Sequence, residues 1–140
     1  MSDEEQLHDY KTRGIDYDLY ACLKCNPQPI LTFDDIARVI AVHEGMNDGE
    51  DWRWILELTN GNHAFLQGGC DYTGWDCQSS AVSTVTHSAL DAAQFALHPP
   101  TQERWIHDGS EEVYKSLIRQ ITEGKAQTWR DKAGEDLGWR

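Results

Sequence analysis

The sequence predicts an α+β fold: an antiparallel meander of three or four strands, covered on its tryptophan-rich face by two or three helices. Three observations carry this expectation. Asn60-Gly61 lies between the alternating runs Trp52–Thr59 and Asn62–Gln67, and an Asn-Gly pair in that setting is the strongest local hairpin cue, because a type I′ turn needs positive φ at both positions. Ile36–Glu44 is a further apolar run, joined to the hairpin through the polar, glycine-containing turn Gly45–Glu50. Ser110–Gly124 sets Val113, Tyr114, Leu117, Ile118 and Ile121 on one helical stripe between a serine cap and a glycine stop.

Length and charge bound what such a fold does. The chain has 140 residues and is expected to form one domain spanning 1–140, with an N-terminal arm at 1–35, the sheet at 36–87, and helices and a tail at 88–140. It contains no 18-residue apolar run and opens on the polar stretch MSDEEQLHDYKTR, so neither a transmembrane helix nor a signal peptide is expected, and the expected location is cytoplasmic. The formal net charge is −12. That balance argues against direct contact with a nucleic-acid backbone or an anionic membrane, and it suits a protein partner with a basic or polar surface.

Taken in order, the elements are these. Ser2 and Glu5 form a capping-box pattern for a short helix to about Arg13. In Ile15–Leu23, Ile15, Tyr17 and Leu19 alternate with Asp16 and Asp18, which predicts an edge strand or an extended arm. Asn26-Pro27-Gln28-Pro29 forces an extended connector, and Thr32–Asp35 turns the chain into the first meander strand. A two-residue Asn60-Gly61 turn pairs Thr59 with Asn62, Leu56 with Phe65 and Trp54 with Gln67. It thereby collects Trp52, Trp54, Leu56, Leu58 and Phe65 on one face. Between the first two strands, the expected register sets Val39 opposite Leu56, Ala41 opposite Trp54, and Arg38 opposite Glu57 as a cross-strand ion pair. Ala81–Thr86 predicts a fourth strand, Ser88–Leu97 a buried helix capped by Ser88, and Lys125–Arg140 a short helix and tail.

The segment Gly68–Gln78 holds two carboxylates, two aromatic rings and two thiols at the end of the second hairpin. Binding groups concentrate on loops held by a rigid sheet, and tyrosine and tryptophan dominate recognition hot spots. The candidate binding residues are therefore Asp71, Tyr72, Trp75, Asp76 and Glu50. The competing reading is a scaffold loop in which Trp75 is buried and the aspartates cap turns. The stretch GCDYTGWDCQ, following Trp52-Arg53-Trp54, resembles a family of small bacterial and phage proteins that carry a near-identical segment. The resemblance spans about Ile36 to Ser80 and implies a shared fold, with no activity to carry over.

Cys22 and Cys25, with Cys70 and Cys77, have the makings of a four-thiolate zinc site, but the C-x6-C spacing of the second pair is wider than a usual zinc half-site. Reduced thiols are therefore the expectation, with no metal ligand and no cofactor. A redox C-x2-C is disfavoured because Asn26-Pro27 follows it. Cysteine catalysis would need a nearby histidine, and His43 and His63 lie about 20 Å apart along the meander at ~3.3 Å per residue. Only a Cys70/His43 pair, with Asp71 or Asp76, remains as a catalytic arrangement. Glu44, Asp48, Glu50 and Asp51 lack the ligand spacing of a calcium loop. The expected function is thus a non-enzymatic interaction module with an acidic, aromatic surface. The alternatives are a small enzyme built on Cys70, Asp71, Asp76 and His43, and an acidic DNA mimic, against which the acidic residues are dispersed along the chain.

Overall fold

A computed structural model describes residues 16–25, 31–100 and 106–124. The expected helix near the N-terminus, the Asn26–Pro29 connector and the tail after Gly124 lie outside the described residues. The chain forms α1 (Tyr17–Cys25), β1 (Ile36–His43), β2 (Trp52–Leu58), β3 (His63–Asp71), β4 (Gly74–Thr86), α2 (Ala89–Ala93) and α3 (Glu111–Glu123), with single 3₁₀ turns at Phe33–Asp35 and Gln94–Ala96. The four strands form one antiparallel sheet in the order β1-β2-β3-β4, so the α+β meander is as the sequence predicts.

The helices, however, divide between the two faces of the sheet. On one face Leu19, Ala21, Cys22 and Leu23 of α1 pack on Trp52, Trp54, Leu56, Leu58 and Leu66. On the other, Ala92, Ala93 and Ala96 at α2, with Val113 and Leu117 of α3, pack on Ala41, Ile55 and Phe65. Small alanines let α2 approach the sheet closely, which is why the face with fewer large side chains takes two helices. The segment read as an edge strand or arm is the helix α1. Asp16 caps it through Oδ1, which accepts from Leu19 N at 2.9 Å. The stripe of Leu19, Cys22 and Leu23 then buries more than a two-residue alternation of Ile15, Tyr17 and Leu19 would.

Register explains the rest of the redistribution. The β2–β3 connection is a three-residue loop, Thr59-Asn60-Gly61, closed by Leu58 N–H donating to the Asn62 carbonyl at 2.8 Å. Only Gly61 in it has positive φ, at 90°, so the turn is type I followed by a left-handed residue. The additional loop residue shifts the ladder by one position. Trp54 faces Leu66, Ile55 faces Phe65 and Leu56 faces Ala64, which moves Phe65 to the α2/α3 face. Between β1 and β2, Arg38–Glu57 and Val39–Leu56 pair as expected, and Arg38 Nη2 lies 3.3 Å from Glu57 Oε2. A bulge between Val39 and Ala41 then sets Ala41 against Ile55 and Val42 against Trp54.

Both long caps follow the sequence. Ser88 Oγ accepts from Asp91 N at 3.1 Å and Ser110 Oγ from Val113 N at 3.3 Å, and Gly124 ends α3 at φ 72°. From α3, Gln120 reaches β1: its Oε1 accepts from Val42 N at 3.0 Å and its Nε2 donates to Val42 O at 3.0 Å.

Candidate functional site

One end of the sheet gathers the β1–β2 turn, the β3–β4 hairpin and the start of α1. In the hairpin Asp71 pairs with Gly74, whose φ of 99° suits glycine, and Asp71 Oδ1 accepts from both the backbone N–H and the hydroxyl of Thr73. This Asx turn holds Tyr72 at the tip, 78% exposed. The β1–β2 turn docks alongside: Asp48 N donates to Cys70 O at 2.8 Å and the Cys70 thiol to Asn47 Oδ1 at 3.3 Å. The two loops therefore share a surface, as the sequence predicts. The residue of β3 beside Asp51 is Gly69 and not Cys70, because of the one-residue shift, and a Cβ at Gly69 would collide with the Asp51 carboxylate.

Three large apolar side chains are exposed at this end, Tyr17 at 64%, Met46 at 61% and Tyr72. Carboxylates lie close to each of them in the chain. Asp16, Asp18 and Glu44 bring oxygens within 4.8 Å of one another beside Tyr17, while exposed Asp48 and Glu50 and half-buried Asp71 flank Met46 and Tyr72.

Trp75 does not belong to that surface. Cys70 pairs with Ser79 but Asp71 pairs with Gly74, so residues 75–78 of β4 have no partner on β3 and arch away from the ladder. The arch turns Trp75 inward. It is 5% exposed, its ring lies 5.2 Å from that of Trp52, and its Nε1 donates to Asp18 Oδ1 at 3.1 Å. Of the two readings weighed for this segment, burial of Trp75 and turn-capping by Asp71 are the ones observed. The side chains of Asp76 and Cys77, like that of Cys25, lie outside the described set.

The Cys70/His43 pair does not assemble. His43 faces Arg53, two residues from Ala41, which is on the α2/α3 face, and its Nε2 lies 3.6 Å from Glu50 Oε2. Cys70 packs with the tryptophan-face cluster instead. The sheet itself separates them. His63, opposite Glu57, sits toward the other end of the meander.

Sequence reasoning missed a buried polar cluster on the α2/α3 face. Asp51 is 1% exposed; its Oδ2 accepts from Gln67 Nε2 at 2.8 Å and His107 N at 2.9 Å, and its Oδ1 lies 2.7 Å from His107 Nδ1. Gln67 Nε2 also donates to His107 O at 3.0 Å. Arg53 donates to Asp51 O at 3.1 Å and to Asp108 O at 3.3 Å. Burial lowers the Arg53 pKa, and the negative charges of Asp51 and Glu50 oppose that shift. The cluster fastens the segment before α3 to the sheet. Arg53, a charge between two tryptophans, was its one local signal; nothing near His107 announced a partner 56 residues away.

The chain matches no protein-family model, no curated protein and no solved structure. Among the described residues no helix is long and apolar enough to cross a membrane.

Proposed function

We propose that the protein is a non-enzymatic interaction module that offers the acidic, aromatic end of its sheet to a protein partner with a basic surface. The observation that carries this reading is that Tyr17, Met46 and Tyr72 are exposed on loops and a helix start at one end of the sheet, each with carboxylates close to it in the chain. An apolar centre excludes water while a charged rim selects partners, which is how protein interfaces divide energy from specificity. Tyr72 is the anchor, because a short hydrogen-bonded turn holds it and little conformational entropy is lost when it binds. Asp71, Glu50 and Asp76 set the charge complementarity. Trp75 acts from beneath, positioning the hairpin. The resemblance of the Gly69–Gln78 segment to small bacterial and phage proteins is taken as a shared fold and adds no activity.

The test compares Tyr72→Ala with the parent chain in capture from host lysate and in the affinity of whatever partner is recovered. An anchoring tyrosine is worth about 2 kcal/mol or more, roughly a 30-fold loss of affinity, and its removal should leave the melting temperature unchanged. Association steered by the carboxylates should also slow as salt rises past ~0.15 M, where the Debye length is about 8 Å. Undiminished capture by Tyr72→Ala would remove the aromatic anchor, and a salt-independent on-rate would remove the charge.

A further inference from the structure

On the face of the sheet that carries α2 and α3, a buried carboxylate holds an exposed imidazole. We propose that His107 is a site of covalent modification, its Nε2 a nucleophile that takes the acyl group of a neutral activated donor such as a thioester. The inference goes beyond the interaction surface and needs no partner bound there.

Asp51 sets the imidazole. Its Oδ1 lies 2.7 Å from His107 Nδ1. A carboxylate only accepts, so the ring proton sits on Nδ1 and the neutral ring keeps its lone pair on Nε2. That nitrogen, on the far side of the ring from the buried oxygen, has no protein partner among the described residues. The His107 side chain is 57% exposed, against 1% for Asp51. The contact is more than a fastening. The backbone of His107 is tied without it: the N–H donates to Asp51 Oδ2 at 2.9 Å and the carbonyl accepts from Gln67 Nε2 at 3.0 Å. With both backbone groups fixed, what the bond at Nδ1 adds is the tautomer and orientation of the ring.

The same carboxylate favours attack. Positive charge grows on the ring as Nε2 forms a bond, and a buried carboxylate meets that charge where water screens it little. The Nε2 lone pair attacks the carbonyl carbon, the carbon–sulfur bond breaks, and a thiolate leaves. The acylated ring gives up its Nδ1 proton to solvent and the thiolate takes one up, so the products are an acyl-imidazole and a thiol, with no change of oxidation state. Charge selects the donor. Asp51 lies against the ring and Asp108 follows it, in a chain of formal net charge −12, which repels an anionic phosphoryl donor but not a neutral acyl one.

The experiment is brief treatment of the full chain with diethyl pyrocarbonate, a neutral acylating reagent, followed by mass mapping of its peptides. His87 and His98 are internal references, because both are exposed and neither has a carboxylate partner among the described residues. His107 should be modified faster than either by on the order of tenfold or more. Asp51→Asn should bring His107 down to the reference rate and leave His87 and His98 unchanged. If Asp51→Asn fails to fold, the unaltered chain in denaturant makes the same comparison, and the lead of His107 should vanish there. The proposal is overturned by a His107 rate no higher than the references, or by a lead that persists in folded Asp51→Asn or in denaturant. An equal lead with phosphoramidate, an anionic phosphoryl donor, would overturn the choice of acyl donor.

Discussion

Two neighbouring aromatic residues, Tyr72 and Trp75, have opposite fates, and the sequence between them explains why. Thr73 and Gly74 close a turn on Asp71, leaving Tyr72 outside, while the unpaired arch after Gly74 sends Trp75 under Asp18 and onto Trp52. Their side chains alone did not distinguish them: both are aromatic and both sit beside aspartates. Asp51 is the other residue whose role depends on distant partners. Removing its carboxylate leaves the His107 N–H unmet, takes one of two acceptors from the Gln67 amide and removes a compensating charge from buried Arg53. Asp51→Ala should therefore cost about 3–5 kcal/mol, measured by chemical denaturation, because breaking a buried charged network leaves unpaired groups behind. A loss near zero would mean that water reaches the cluster. Local patterns identified the acidic side chains as a surface; they could not identify Asp51 as an interior group, because its donors come from β3 and from the segment before α3.

At the level of elements, one loop residue decides which side chains meet. Asn60-Gly61 marked the hairpin correctly, and the alternation of Trp52, Trp54, Leu56 and Leu58 put those four on one buried face. The turn type was not legible, since Asn-Gly also serves as the last two positions of a type I turn with a left-handed glycine, and the Asn60 side chain supports that choice by accepting from Asn62 N at 3.0 Å. Gly61→Ala tests it directly. A Cβ there meets nothing, so the cost is purely conformational, about 1–2 kcal/mol, and Asn60→Ala should cost less because Asn60 does not hold positive φ. Equal penalties at the two positions would favour a two-residue turn. The helix α1 was misread for a related reason: its alternating Ile15, Tyr17 and Leu19 fit a strand, and only the sheet beneath, offering Gly68 and Trp54 to Cys22 and its neighbours, rewards the helical stripe.

For the whole molecule, the main consequence of the register shift is a sheet buried on both sides. The class, the meander and the caps of the two later helices could be read from periodicity and capping residues. The partition of helices could not, because it depends on which face receives Phe65 and on how closely the alanines of α2 can approach. A two-sided sheet leaves its outer strands as the remaining hazard, and on β1 Gln120 meets it. A side-chain amide has the same donor and acceptor as a peptide group, and here it occupies both backbone positions of Val42 that a strand from another copy would use. Gln120→Leu keeps a similar volume but cannot make either bond. The variant should lose about 1–3 kcal/mol on denaturation, the penalty of leaving a buried donor and acceptor unmet. It should also scatter light and bind an amyloid dye at concentrations where the parent chain stays clear. One glutamine on a helix thus works as a gatekeeper against self-assembly, at a strand whose own sequence, apolar and β-branched, would otherwise invite it.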